Sequence, residues 1–197
     1  MMQIDYYCAL SSPWSYLGHE RLGRMAAEAG CAVAIHPVNA LAMFEKTGGL
    51  PLPKRSPERQ AYRLLELQRW RERLSVPLNL HPKHFPADET RAAELVIAAR
   101  ENGEDAFGLA GRFMRAVWAE ERDISNPDMI AEIVSEAGLD LKGLSDTSSG
   151  IDAASIRAQD TERAIARGVF GVPAYSLGDE LFWGQDRLDF VGERISR

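Results

Sequence analysis

The sequence predicts an α/β fold in the order β-α-β, helical block, β-β-α. Three observations carry that expectation. Two strand-like runs near the start, residues 3–9 and 31–36, flank a stretch with apolar residues at near-helical spacing. The middle of the chain repeats apolar residues at i, i+3, i+4 and i+7, the mark of amphipathic helices. Near the end, two short β-like runs meet at Gly178-Asp179, a strong hairpin signal, and a last amphipathic stretch follows.

Taken in order, residues 3–9 form the first strand. Trp14, Leu17, Leu22 and Met25 mark the helix after it, which Gly30 closes. Cys31-Ala32-Val33-Ala34-Ile35-His36 is a second strand ended by Pro37, so the opening predicts a parallel β-α-β unit. From Ala40 to Pro57 the chain reads as loop, because Gly48-Gly49 and three prolines fall there. Four helical patterns follow, marked by Ala61 to Trp70, Ala92 to Ala99, Phe107 to Trp118 and Ile130 to Ala137. Asn126-Pro127 supplies an N-cap and first turn, and Gly138 a stop. A further helix runs from about Asp152 to Arg167 and ends at Gly168. The runs Val172–Leu177 and Glu180–Trp183 make the hairpin, and Leu188, Val191 and Ile195 mark the last helix.

Composition narrows the function classes. The chain is 45% hydrophobic and 26% charged, as ordinary soluble domains are. A net charge of -6 argues against a nucleic-acid partner, which calls for a basic surface. The local exception, Lys54-Arg55-Ser56-Pro57-Glu58-Arg59, can hold one small anion or be a solvated loop. The opening residues lack the pattern of a signal peptide, and no apolar stretch is long enough to span a bilayer. The expectation is a cytoplasmic protein without a membrane partner. Cys8 and Cys31 form no CxxC or metal-ligand pattern and read as small core residues. His81 and His84 flank Pro82 in a surface loop without a third ligand, and His36 reads as structural, so no metal site is expected.

The junction after the first strand, Ser11-Ser12-Pro13-Trp14-Ser15, is the most informative segment. Ser12 suits an N-cap and Pro13 the first helical position. The first amides of a helix lack internal partners and its dipole is positive at that end, so an anion, including a thiolate, is stabilised there. The junction carries hydroxyls where a redox protein would carry thiols, which excludes disulfide exchange.

Ser12-Pro13-Trp14-Ser15 sits where thioredoxin-like redox proteins carry their CxxC. Gly171-Val172-Pro173-Ala174 resembles their cis-proline loop, and Gly184-Gln185-Asp186-Arg187 follows the last strand. With a helical insertion between the halves, the chain resembles the DsbA-like branch of the thioredoxin fold. Within it, the chain is similar to the kappa-class glutathione transferases and 2-hydroxychromene-2-carboxylate isomerases over nearly its whole length. The resemblance implies a thioredoxin-like domain from residues 1–39 and 168–197 and a mostly helical insertion over 40–167.

The resemblance also implies glutathione as cofactor. Ser12 would be the catalytic hydroxyl holding the thiolate, with Trp14 beside it and Ser15 a second candidate for the same role. Val172, ahead of a cis Pro173, would pair its backbone with the cysteinyl unit, and Gln185 and Asp186 would meet the γ-glutamyl end, with Asp186 also a possible N-cap. Family members place an asparagine near the position of Gly49, so that contact would be lost or taken over by backbone. Lys54 and Arg55 lie where the isomerases bind substrate carboxylate, and Arg55 can grip one bidentately. Arg59 or Arg63 could serve instead.

The implied reaction interconverts 2-hydroxychromene-2-carboxylate and trans-o-hydroxybenzylidenepyruvate, a small aromatic carboxylate substrate, by reversible thiolate addition. The alternatives are a kappa-like transferase or peroxidase acting on another electrophile, and a non-catalytic DsbA-like binding module. The resemblance further implies a homodimer, with Trp70 or Trp118 as candidate interface residues.

Overall fold

A computed structural model describes residues 2–196. Its centre is one four-stranded sheet in the order β2-β1-β3-β4, formed by β1 (Gln3–Cys8), β2 (Ala32–Pro37), β3 (Ala174–Leu177) and β4 (Glu180–Trp183). β1 and β2 are parallel, from Gln3 opposite Ala32 to Cys8 opposite Pro37. β3 runs antiparallel to β1, with Tyr7 opposite Ala174, and antiparallel to β4. Helix α1 (Pro13–Glu28) connects the parallel pair, as a parallel crossover requires.

Seven helices separate β2 from β3 among the described residues: α2 (Ala40–Thr47), α3 (Pro57–Leu74), α4 (Thr90–Glu101), α5 (Ala106–Trp118), α6 (Pro127–Glu136), α7 (Leu141–Gly150) and α8 (Ala153–Ala166). Helix α9 (Leu188–Ile195) closes the chain. The order is the expected β-α-β, helical insertion, β-β-α of a DsbA-like thioredoxin fold. Side chains alternate across the strands. Ile4, Tyr6 and Cys8 join the larger buried cluster with Leu17 and Leu22 of α1, while Tyr7 and Ala174 join a smaller one with Met43 of α2 and Ala164 of α8. The larger cluster continues through Leu95, Phe113 and Ile133, so sheet and helical block share a core.

Two stretches depart from the sequence-based expectation. The segment from Ala40, read as loop, begins with α2. Asn39 caps it by accepting from Ala42 N–H at 3.1 Å, and Gly48 ends it in the left-handed region at φ 81°. Helix α7 has no counterpart among the helices expected from sequence; the Asp140 side chain caps it by accepting from the N–H groups of Lys142 and Gly143. Cys8 is buried as expected, but Cys31 is only partly so. Trp118 is wholly enclosed and is therefore no interface residue. No helix among the described residues is long and apolar enough to cross a membrane.

Candidate functional site

The sheet register gathers the expected site residues at one end. Ala174 pairs with Tyr7, so Val172-Pro173 continues alongside Cys8-Ala9. Ser12 N–H returns to Ala9 C=O at 3.1 Å, which sets the start of α1 against that same edge. On the other side Ala174 pairs with Trp183, and Gly184 N–H donates to Pro173 C=O at 2.9 Å. Gln185 and Asp186 follow directly. The structure thus brings Ser12, Val172-Pro173 and Gln185-Asp186 together from positions far apart in sequence.

Ser12 is the N-cap of α1. Its Oγ accepts from Ser15 N–H at 3.2 Å, and Pro13 takes the first helical position. The Ser12 hydroxyl donates to no acceptor among the described residues, so its proton is available to a ligand. Ser15 differs: it is fully buried and its Oγ has no partner among the described residues. Of the two serines, Ser12 is partly exposed and Ser15 is enclosed. Trp14 is partly buried against the core beside it.

The Val172–Pro173 peptide bond is cis. Neither the N–H nor the C=O of Val172 has a hydrogen-bond partner among the described residues. A backbone edge in that state can take an extended peptide as an added strand. Gly171, just before it, lies against the Trp183 indole, whose Nε1 would stand 2.7 Å from an added Cβ. Phe170 and Trp183 cross at 4.6 Å between ring centres and stay about half exposed.

Gln185-Asp186-Arg187 forms a 3-10 turn leading into α9, rather than the helix's opening turn. Asp186 does not cap that helix, which has no side-chain cap. Its carboxylate, half exposed, meets the Arg187 guanidinium at 3.2 Å. Gln185 is 2% exposed, and its Cβ packs where a side chain on Gly18 would go. The enclosed Gln185 side chain leaves Asp186 as the accessible side chain of the pair.

Gly49 follows α2, whose Thr47 hydroxyl reaches the Phe170 carbonyl at 3.5 Å, near the Val172 loop. A Cβ on Gly49 would run into the Phe44 ring, which gives a packing reason for glycine at this position. Lys54 is exposed. Arg55 is partly buried, with Nε donating to Leu50 C=O at 2.8 Å.

One feature of the site escaped the sequence. Ser11 N–H donates to Glu89 Oε2 at 2.6 Å, and Glu89 Oε1 accepts from Arg157 Nη2 at 2.6 Å; both charged residues are buried. Arg157 also reaches Val38 C=O at 3.3 Å. This pair ties α8 and the start of α4 to the backbone one residue before Ser12. Nearby, burial first and then Glu89 push the Cys8 thiol well above its usual range, so it stays protonated and unreactive.

Residues 3–196 match the DSBA-like thioredoxin domain, and the chain belongs to that family. Within it, the chain is 28% identical over 190 residues to 2-hydroxychromene-2-carboxylate isomerase of Sphingobium xenophagum, covering 95% of each. Human glutathione S-transferase kappa 1 is 24% identical over 210 residues, covering 98% of this chain and 90% of that protein. A solved 2-hydroxychromene-2-carboxylate isomerase superposes with a TM-score of 0.85 at 26% identity, over 100% of this chain and 95% of the other.

Proposed function

We propose that this protein is a glutathione-dependent isomerase interconverting 2-hydroxychromene-2-carboxylate and trans-o-hydroxybenzylidenepyruvate. The hydrogen bonding of Ser12 carries the reading: its oxygen is engaged by Ser15 N–H, and its proton is available at the positive end of α1. The names of the similar isomerases support the substrate class.

The residues fit a tripeptide thiol. Val172 offers an unpaired N–H and C=O to a cysteinyl backbone, and Asp186 a half-exposed carboxylate to an ammonium group. When bound, glutathione supplies a thiolate that adds reversibly to the unsaturated carbon and returns unchanged. The chain's own part is electrostatic and positional. Ser12 donates to the sulfur and holds its charge without competing as a redox partner. Lowering a thiol pKa by about two units takes roughly 2.7 kcal/mol, within the combined reach of a charge-assisted hydrogen bond and a helix dipole. In this reading Lys54 and Arg55 are the cations that would meet a substrate carboxylate.

The test is isomerisation of 2-hydroxychromene-2-carboxylate, followed by absorbance with and without glutathione. Turnover that requires glutathione and persists over many cycles without its consumption is expected. Consumption of glutathione with an electrophile would instead assign a transferase, as the kappa-class relative's name suggests. Glutathione binding with no turnover of unsaturated keto acids would leave a binding module.

A further inference from the structure

Glu89 stands at the N-cap position of α4, yet its side chain does not cap that helix. Asp88 serves the helix end instead, accepting from Thr90 N–H at 2.9 Å. The Glu89 carboxylate bridges two other donors: Oε2 accepts from Ser11 N–H and Oε1 from Arg157 Nη2, each at 2.6 Å. Glu89 is 9% exposed and Arg157 8%. The N–H groups of Ser12, Ser15 and Tyr16 bond inside the strand-to-helix junction, to Ala9 C=O, Ser12 Oγ and Ser12 C=O. The Ser11 N–H bonds outside it, to the helical insertion.

A carboxylate in this place works against an anion site. Ser11 is one residue from Ser12, a Cα–Cα step of about 3.8 Å, so Glu89 sets a negative charge close behind the helix end. Arg157 cancels it. The Cys8 thiol, at the end of β1, registers the balance: beneath the larger effect of burial, Glu89 pushes it up and Arg157 pulls it down. A neutral acceptor would avoid the charge but cannot make both bonds. A carboxylate accepts at either oxygen, whereas a glutamine amide accepts at one end and donates at the other. Facing an N–H and a guanidinium, a glutamine would give its oxygen to the charged donor and turn its own NH2 against the Ser11 amide. The ionised acid joins both.

We propose that Glu89 is a positioning residue for Ser12: it fixes the Ser11 amide so that the Ser12 hydroxyl stays aimed at a bound thiolate, and Arg157 neutralises the charge this requires. The role rests on the glutathione reading. It acts through geometry, because hydrogen bonds weaken steeply once donor and acceptor lose alignment. Geometry and charge therefore predict opposite signs. Loss of the Glu89 charge alone favours a nearby thiolate, and loss of its grip on Ser11 disfavours it.

The test is a calorimetric titration with glutathione across pH, which gives the acidity of the bound thiol. In Glu89→Gln that thiol should become about tenfold less acidic than in wild type. Glutathione affinity at low pH, where the thiol is protonated, should not change. Adding Arg157→Met frees the glutamine oxygen for Ser11 and should restore the wild-type acidity. In a Ser12→Ala background Glu89→Gln should change nothing further, because the effect passes through that hydroxyl. An unchanged or more acidic thiol in Glu89→Gln, or no rescue in the double variant, overturns the proposal. Should Glu89→Gln fail to fold, judged by far-UV circular dichroism, two double variants without a lone charge decide it. Glu89→Gln with Arg157→Met should keep the acidity, and Glu89→Leu with Arg157→Met should lose it; equal values overturn the proposal. No glutathione binding in wild type would overturn the cofactor reading instead. The Ser12 amide resonance, displaced in Glu89→Gln and restored on adding Arg157→Met, would then still show Glu89 positioning Ser12, and a resonance that does not move would overturn that too.

Discussion

The Ser11 amide donates to the Glu89 carboxylate at 2.6 Å, across 78 positions of sequence. Through Arg157 the same carboxylate reaches α8. The residue before the candidate catalytic hydroxyl is thus fixed by a buried ion pair from the helical insertion.

Removing one partner leaves the other charge buried and unpaired. Glu89→Ala should therefore cost about 3–5 kcal/mol in urea unfolding. The double change Glu89→Gln with Arg157→Met should cost clearly less, because no lone charge remains. Equal losses for both would show that the pair's charge is irrelevant to stability.

Ser12→Ala separates folding from chemistry. The lost N-cap should cost about 1 kcal/mol, while isomerase turnover should fall by about a hundredfold or more, the loss typical of one donor to a developing or held anion. Ser15→Ala removes a buried hydroxyl without a partner and should leave the Ser12-dependent activity largely in place. The two variants compared in one turnover assay, with melting curves alongside, check both statements.

Much of this was legible in sequence. The strand-to-helix junction at Ser12, the hairpin at Gly178-Asp179 and the proline of Val172-Pro173 are local signals, carried by a few adjacent residues. Helix α2 was hidden because Gly48-Gly49 and the prolines after it read as loop, although Asn39 and Gly48 are the caps of a helix only eight residues long. The Glu89–Arg157 pair was illegible for another reason. Each residue sits at an ordinary helical position for a charge, Glu89 just before α4 and Arg157 within α8, and only tertiary packing buries them against each other. Arg63 reads in sequence as a cation, but its place over the Phe85 and Trp118 rings is set by tertiary packing alone.

His19 gives the molecule a defined acid limit. It is 4% exposed, its Nε2 meets Phe107 C=O at 3.0 Å, and its ring stacks on Phe107 at 3.9 Å. Burial lowers its pKa from 6.5 to about 4. A depressed folded-state pKa means that the unfolded chain takes up the proton first. The contribution is therefore present above pH 6.5 and is lost as the pH falls from 6.5 towards 4, a loss of about 3 kcal/mol at most. His19→Gln should lose less stability than wild type over that interval in urea titrations. Parallel pH profiles would show that His19 does not set the slope.

Gly18 sets the spacing between α1 and the Gln185-Asp186 turn. An added Cβ would lie 2.8 Å from the Tyr175 hydroxyl and 2.9 Å from Gln185 Cβ. Gly18→Ala should destabilise the fold by about 1–3 kcal/mol through overpacking. It should also weaken glutathione binding, because Asp186 moves with Gln185. Wild-type melting and binding in this variant would show that the turn is not held by that contact.

In the proposed reaction Ser12 holds the glutathione thiolate. The most direct test is a calorimetric titration with glutathione near neutral pH, in several buffers so that proton release is counted, for wild type and Ser12→Ala. Wild type should bind glutathione with proton release, and Ser12→Ala should lose that release. Equal proton release in both would contradict the role of Ser12, and no binding at millimolar glutathione would contradict the cofactor itself.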